Sequence, residues 1–245
     1  MLRFFSKKRF KLAARNKVGK YLRYAIGEIL LVVIGILIAL QINNWNENRK
    51  QHLKDLDFLK NLKKEISNDI TLLTLKKKEF TDINKEIRTS LELFNNSVQL
   101  SDSQYHLIGS ALRHSEILTP YSKNVVRNDI SLSEGVLDRL SPELNNKYIL
   151  YIEKTKLNND IVSKLGESLQ LVMLHDVNQK TEYNYFPDSR HELDFKFEEI
   201  RHDRLIRNAL NKSLDNRDFA LEYINDQVKL ADELLTLING ILESN

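Results

Sequence analysis

The feature that most constrains this chain is a long apolar run near its N-terminus. Residues Tyr24 to Trp45 read YAIGEILLVVIGILIALQINNW, and the twelve residues from Ile29 to Leu40 carry no polar side chain. A helix over Ala25–Ile42 covers about 27 Å at 1.5 Å per residue, close to the ~30 Å hydrocarbon core of a bilayer. The run therefore predicts a transmembrane helix at residues 24–45.

A buried core helix and a cleaved signal peptide are the two alternatives. The flanks favour a membrane helix over a core helix, because cations precede the run and Trp45, suited to the headgroup region, ends it. No small-x-small cleavage pattern follows Leu40, which argues against a signal peptide. The cations before the run are Arg3, Lys7, Lys8, Arg9, Lys11, Arg15, Lys17, Lys20 and Arg23.

Charge predicts the orientation of this helix. Residues 1–23 carry a formal charge of +9 and the remaining 222 residues carry −6. Short basic segments stay in the cytoplasm, so we expect a cytoplasmic tail at residues 1–23 and an extracytoplasmic domain at residues 46–245. In a bacterium this places the protein in the inner membrane with its domain in the periplasm. The basic tail then faces the bilayer, the predicted partner; a nucleic-acid-binding arm is the alternative.

Three residues of the run predict association with another membrane helix. Gly35 and Ala39 form a small-x-x-x-small pair that permits close helix approach, and Glu28 lies seven residues before Gly35 on the same stripe. A carboxylate within a membrane suggests a function by default, although Glu28 is close enough to the cytoplasmic end to meet Arg23 or lipid headgroups. Arg23 and Trp45 are the predicted interfacial anchors. The predicted partner is a second copy or another membrane protein.

The same stretch carries a family resemblance. KYLRYAIGEILLVVIGILIALQINNWNE, at Lys20–Glu47, resembles the signature of an uncharacterised family of bacterial membrane proteins abundant in Bacteroidetes, domain of unknown function family 6090. Weaker similarity covers Asn128–Tyr151 and a long C-terminal helix, with Glu134 in place of the serine that commonly precedes the glycine at Gly135. The resemblance implies an N-terminal membrane helix and an outer helical domain, and it implies no activity.

Beyond the run, apolar spacing predicts helices. The chain has only three prolines and seven glycines, with none between residues 36 and 108. Apolar residues recur every three or four positions from Leu53 to Phe94, which indicates an amphipathic helix with a break near Ser67–Asn68 or Thr71–Thr74 as an alternative. The predicted fold class is all-α, with one transmembrane helix continuing into a long helix and an extracytoplasmic antiparallel helical bundle. A coiled coil is the alternative to the bundle.

Start and stop signals divide the rest of the chain. The predicted elements are a helix from a capping box at Ser101–Gln104 to Pro120, a helix over Asn128–Leu140, a helix from Ser141-Pro142-Glu143 to His175, a loop at 178–190, a short helix at Glu192–Arg201, and a last helix over Asp203–Leu242 that Ser213–Asp215 could divide. Within the loop, Tyr183, Tyr185 and Phe186 are a candidate partner-binding group, or a local cap on the bundle.

No motif for catalysis or cofactor binding is present. The chain has no cysteine, its six histidines make no His-Glu-x-x-His pair, and its isolated glycines supply no phosphate-binding loop. We therefore expect no enzyme activity, no metal and no cofactor.

Two function classes remain. The first is a structural or protein-interaction module of the cell envelope, possibly oligomeric, and the second is an extracytoplasmic sensory domain that binds a ligand and signals through a membrane partner. A ligand-sized pocket between the outer helices would favour sensing, whereas a solid core beside an exposed apolar stripe would favour docking.

Overall fold

The computed structural model describes residues 18–96, 99–115, 118, 130–176, 180–185 and 191–244. Helices dominate these ranges, which confirms the all-α class. In order, the described elements are α1 (Val18–Asn96), α2 (Asp102–Ser115), α3 (Ile130–Leu140), α4 (Pro142–Asp176), β1 (Thr181–Tyr185), β2 (His191–Phe195), α5 (Phe197–Arg201) and α6 (Arg204–Glu243).

Helix α1 contains the apolar run and continues beyond it without a break. At the two positions where a break was considered, hydroxyl groups bond within the helix. Ser67 Oγ donates to the carbonyl of Lys63 at 2.9 Å, and Thr74 Oγ1 donates to the carbonyl of Ile70 at 2.7 Å. These side chains therefore do not compete for the backbone donors that hold the helix together.

The chain divides into two compact units, Met1–Asp57 and Phe58–Asn245, so the boundary falls within α1. The first unit contains the apolar run. The second contains the remainder of α1 and all the other described elements.

The core of the second unit consists of three apolar clusters. All three include buried residues of α1 and α6, two include α4, and one adds α2, β2 and α5. The buried residues that α1 contributes to these clusters belong to its predicted stripe, and they are Leu59, Leu62, Ile66, Leu73, Phe80, Ile83, Ile87 and Phe94. Apolar spacing thus located the face of α1 that packs in the second unit, whereas Leu53, the first residue of the predicted stripe, is exposed. On α6, by contrast, the large apolar side chains of Leu205 and Phe219 are exposed.

Polar contacts between helices record their relative directions. Along α1, Asn84 contacts Asp218 of α6, and Asn95, about three turns later, contacts the earlier residue Arg207. Residue numbers rise on one helix as they fall on the other, so this part of α1 runs antiparallel to α6. The contacts of α4 with α6 follow the same order, from Lys147–Glu233 to Leu165–Asn216.

The predicted helix starts are confirmed at three places. In the capping box, the Ser101 amide donates to Gln104 Oε1 at 2.9 Å and the Gln104 amide donates back to Ser101 Oγ at 3.4 Å. Ser141 Oγ accepts from the Leu144 amide at the start of α4. Asp203 accepts from the first backbone amides of α6. Each cap satisfies donors that a helix N-terminus leaves open.

Two predicted elements between α4 and α6 were wrong. Residues 181–185 were assigned to a loop and Glu192–Phe195 to a helix, but β1 and β2 form an antiparallel hairpin with Tyr183 opposite Leu193. The sequences TEYNY and HELDF alternate residue types with the period of two that suits strands, and aromatic residues favour extended structure. Only Phe197–Arg201 is helical.

The last helix is also continuous where a second start was considered at Ser213–Asp215. Ser213 is buried there, and Leu214 packs in the core. Two predicted boundaries, Pro120 and Asn128, lie outside the described residues. Phe186 lies outside them as well.

Candidate functional site

The apolar segment, defined here as Leu22–Trp45, leaves its large side chains uncovered by the described part of the chain. Their exposed fractions range from 46% at Ile34 to 71% at Leu31, in every direction around the helix. This is a much larger apolar surface than a water-soluble monomer exposes. Among the described residues, α1 is the one helix long and apolar enough to cross a membrane.

The residues predicted to associate lie on this open surface. Gly35 and Ala39 are exposed, and a methyl group added at Gly35 would meet no other atom within 4 Å. Glu28 is half-buried. The surface around Gly35 therefore has room for a close neighbour, and association through Glu28, Gly35 and Ala39 stays a prediction.

Trp45 has a partner that the sequence analysis missed. The guanidinium carbon of Arg49 lies 6.0 Å from the centroid of the Trp45 ring, at the outer limit of a cation–π contact. Both residues are exposed, as is the other predicted anchor, Arg23. The i, i+4 spacing is the signal that could have identified the pair. Most of the basic tail, residues 1–17, lies outside the described residues.

The second unit buries a charged side chain, Arg217 of α6. Arg217 is fully buried, and its guanidinium group donates to the carbonyl of His114 and to the hydroxyl of Ser213. Ser213 Oγ donates in turn to the carbonyl of Ser115 at 2.9 Å. Burial lowers the pKa of Arg217 to about 10, against the opposing charge of Glu79. Arg217 and Ser213 therefore donate to the last two carbonyl groups of α2, and the charge of Arg217 lies at the negative end of the helix dipole.

A second polar link joins α1, α4 and α6. Tyr151 Oη donates to Asp69 Oδ2 at 3.0 Å, and Gln227 Nε2 donates to the carbonyl of Tyr151 at 3.2 Å and to Thr155 Oγ1. Burial raises the pKa of Asp69, and the bond from Tyr151 opposes that shift. Burial, together with the Asp69 charge, raises the pKa of Tyr151. The Tyr151 hydroxyl and the Gln227 amide nitrogen are both satisfied within this link, which is the behaviour of a structural contact. Gln227 Oε1 is buried and accepts no hydrogen bond from the residues that the structure describes.

A serine, a histidine and an acid meet between α1 and α2. Ser110 Oγ lies 3.0 Å from Glu86 Oε2 and 3.2 Å from His114 Nδ1, and that same nitrogen lies 3.2 Å from Glu86 Oε2. A catalytic triad requires the serine on one ring nitrogen and the acid on the other. Here both contact Nδ1, so the cluster ties α2 to α1 and lacks the arrangement of a nucleophile with its base.

A groove of about 400 Å³ lies between α1 and α6 in the second unit. The residues that line it are Thr81, Asn84, Lys85, Arg88, Thr89, Glu92, Asp218 and Leu221. Asp218 anchors one wall, because it accepts from Asn84 Nδ2 and Arg88 Nη2 at 2.8 Å each. The groove depends on contacts between residues about 130 positions apart, and the sequence analysis did not identify it.

Metal-binding chemistry is not assembled in the described part of the chain. No group of three or more His, Asp or Glu side chains there could hold an ion.

Of the predicted partner-binding group, Tyr183 and Tyr185 lie in β1, so they are strand residues rather than loop residues.

Comparison with known proteins gives one match. The model of a family of unknown function (DUF6090) matches residues 28–102, a range that begins inside the apolar segment and ends at the start of α2. This is the family named from the sequence, and the match covers less than a third of the chain. No curated protein and no solved structure matches the chain.

Proposed function

We propose that this chain is a single-pass membrane-anchored helical protein with no enzyme activity, which acts as a structural or protein-interaction module of the cell envelope. The observation that carries the proposal is the apolar segment, whose large side chains are 46–71% exposed in every direction. A bilayer covers such a surface, since lipid tails surround a helix on all sides. The match to a family of unknown function over residues 28–102 includes most of this segment.

The proposal includes an orientation. The basic residues 1–23 stay in the cytoplasm, and the helices after residue 46 form an antiparallel bundle on the other side, in the periplasm of a bacterium. Replacing the cations of residues 3–23 with asparagine should reduce or invert this orientation. Protease protection in sealed inverted vesicles measures it, and an unmoved domain would contradict the charge argument.

Association in the membrane is the second part of the proposal. Helices approach closely where small residues face each other, and Gly35 has open space for a neighbour. Crosslinking followed by mass spectrometry in native membranes tests the docking role directly. We expect crosslinks to a second copy or to one defined envelope protein, whereas a crosslink pattern no richer than that of an inert anchored protein would overturn the role.

A matched pair of variants tests the residues involved. Glu28→Leu should leave insertion intact and weaken association, and Gly35→Ile should do the same by blocking close approach. Val33→Ile, which makes a similar apolar enlargement on the other side of the helix, is the control. Unchanged oligomer size in detergent for both test variants would argue against a role for this face.

One observation favours a second function, a sensory domain that signals through a membrane partner. The groove between α1 and α6 has a volume in the range of small-molecule sites. The groove is lined partly by α1, the helix that also contains the apolar segment. A ligand in the groove would therefore contact the proposed membrane helix at residues that follow the apolar segment. The ligand test below also bears on this function.

A further inference from the structure

The groove between α1 and α6 has a charge pattern that goes beyond the proposed docking role. Its cations are Lys85 and Arg88, and its carboxylates are Glu92 and Asp218. The formal charge of the lining is therefore zero, with both signs present. A simple anion or a simple cation would meet a group of its own sign within the groove, which disfavours both.

The four charges are not equivalent. Asp218 is already paired with Arg88 at 2.8 Å and holds the Asn84 amide as well. Lys85 and Glu92 make no ion pair with any residue that the structure describes. One cation and one carboxylate thus remain open for a ligand, and Arg88 has further N–H donors beyond the one that Asp218 accepts.

Helix geometry sets the distance between the open charges. Arg88 and Glu92 are four residues apart on α1, and Lys85 and Glu92 are seven apart, so each pair lies on one face. At 1.5 Å per residue these separations are about 6 and 10 Å along the helix axis. An extended dipeptide, or an ω-amino acid of the same length, spans ~7 Å between its charged ends.

We infer that this groove binds a short zwitterion, with its carboxylate against Lys85 and Arg88 and its ammonium against Glu92. The side chain of Leu221 supplies apolar contact for the middle of the ligand. The hydroxyls of Thr81 and Thr89 donate to carbonyls of their own helix, so their oxygens remain acceptors along the same wall. The inference does not require that the chain be membrane-anchored or oligomeric.

The test is a titration of the full-length protein in detergent with 6-aminohexanoate, followed by ligand-observed NMR. Hexanoate and hexylamine, which each retain one charged end, are the matched probes. For a ligand of nine non-hydrogen atoms at an open site we expect a Kd on the order of 1–10 mM. Each single-ended probe should bind at least threefold more weakly, since it loses one ion pair.

Variants locate the binding site. Lys85→Gln and Glu92→Gln should each weaken 6-aminohexanoate binding at least threefold, and Glu92→Gln should leave hexanoate binding unchanged or stronger. Lys64→Gln and Glu153→Gln, at exposed positions outside the groove lining, are the controls and should leave the Kd unchanged. Far-UV circular dichroism checks that each variant is folded.

Three results would overturn the inference. They are no saturable binding of 6-aminohexanoate up to 50 mM, equal binding of hexanoate and 6-aminohexanoate, and equal Kd values for the wild type and both groove variants. None of these results bears on membrane anchoring, so failure of this site and failure of the proposed function remain distinguishable.

Discussion

Helix α1 places apolar side chains in two opposite ways. Between Leu22 and Trp45 they surround the helix and are exposed, whereas between Leu59 and Phe94 most of them follow one face and are buried against other helices, with Leu72 and Leu75 exposed. The backbone is α-helical in both regions. The difference shows that the arrangement of apolar residues, a continuous run or a stripe, separates a helix that needs lipid from one that needs protein neighbours.

The largest effect should come from charging the apolar segment. Ile34→Lys with Leu37→Lys should cost about 6–8 kcal/mol of membrane insertion, because lysine at a helix centre is strongly disfavoured relative to isoleucine and leucine. Membrane fractionation measures the shift to the soluble or aggregated fraction. Leu75→Lys with Leu157→Lys changes two leucines of the second unit that are at least as exposed as Ile34 and Leu37. This double variant should leave fractionation unchanged. If the two double variants fractionate alike, the apolar segment does not depend on lipid more than the exposed leucines of the second unit do.

Shortening a side chain in the core should destabilise the second unit, whereas shortening one in the apolar segment should not. Phe80 is fully buried, and Phe80→Ala should lower the free energy of unfolding of the second unit by about 3–5 kcal/mol. Ile36→Ala, in the apolar segment, should leave that unfolding unchanged. Urea denaturation in mild detergent, followed by far-UV circular dichroism, measures both. Equal losses for the two variants would mean that the apolar segment is part of the folded core.

Two glycines sharpen the comparison within the second unit. A methyl group at Gly166 of α4 would lie 2.3 Å from the carbonyl oxygen of Leu118, whereas one at Gly240 of α6 would meet nothing within 4 Å. Gly166→Ala should therefore destabilise by about 1–3 kcal/mol through overpacking. Gly240→Ala should stabilise by up to about 1 kcal/mol, because alanine favours the helix. The same urea denaturation checks both, and a neutral Gly166→Ala would contradict the close approach.

The smallest effect should come from the cap of α6. Lys180 and the amides of Leu205 and Ile206 hold the pKa of Asp203 below its ordinary value of 3.8. A carboxyl with a lowered folded pKa stabilises the fold above its unfolded pKa, and this contribution is lost as the pH falls through the folded value.

The matching variants separate the acceptor from the charge. Asp203→Ala should cost about 1 kcal/mol at pH 7. Asp203→Asn keeps the acceptor and loses the charge, so it should cost less, and its difference from the wild type should shrink as the pH falls below the ordinary value of 3.8. Urea midpoints at pH 7, 5 and 3 measure this. A difference that grows with acidity would contradict the lowered pKa.

Local signals account for the parts that the sequence predicted well. The apolar run, most of the stripe from Leu53 to Phe94, the capping box at Ser101 and the start of the last helix at Asp203 can each be recognised from residues that lie close together in the sequence. The hairpin was missed because residues 178–190 as a whole were assigned to a loop. The period of two in residues 181–185 was the overlooked signal.

The missed contacts in the second unit depend on residues far apart in the chain. Arg217 meets His114 across 103 positions, and Asp218 meets Asn84 across 134. A buried arginine and a charged groove wall look like ordinary surface residues of an amphipathic helix until the partner helix is in place. Spacing along one helix therefore could not reveal the groove, whose lining on α1 consists of polar residues outside the apolar stripe.

The most direct test of the proposed anchor is extraction of the full-length chain from membranes at alkaline pH. A bilayer-spanning helix holds its protein in the membrane pellet when peripheral contacts are released, so we predict that the chain stays in the pellet in carbonate at pH 11 and enters solution with detergent. Recovery of the full-length chain as a soluble monomer without detergent would contradict the account.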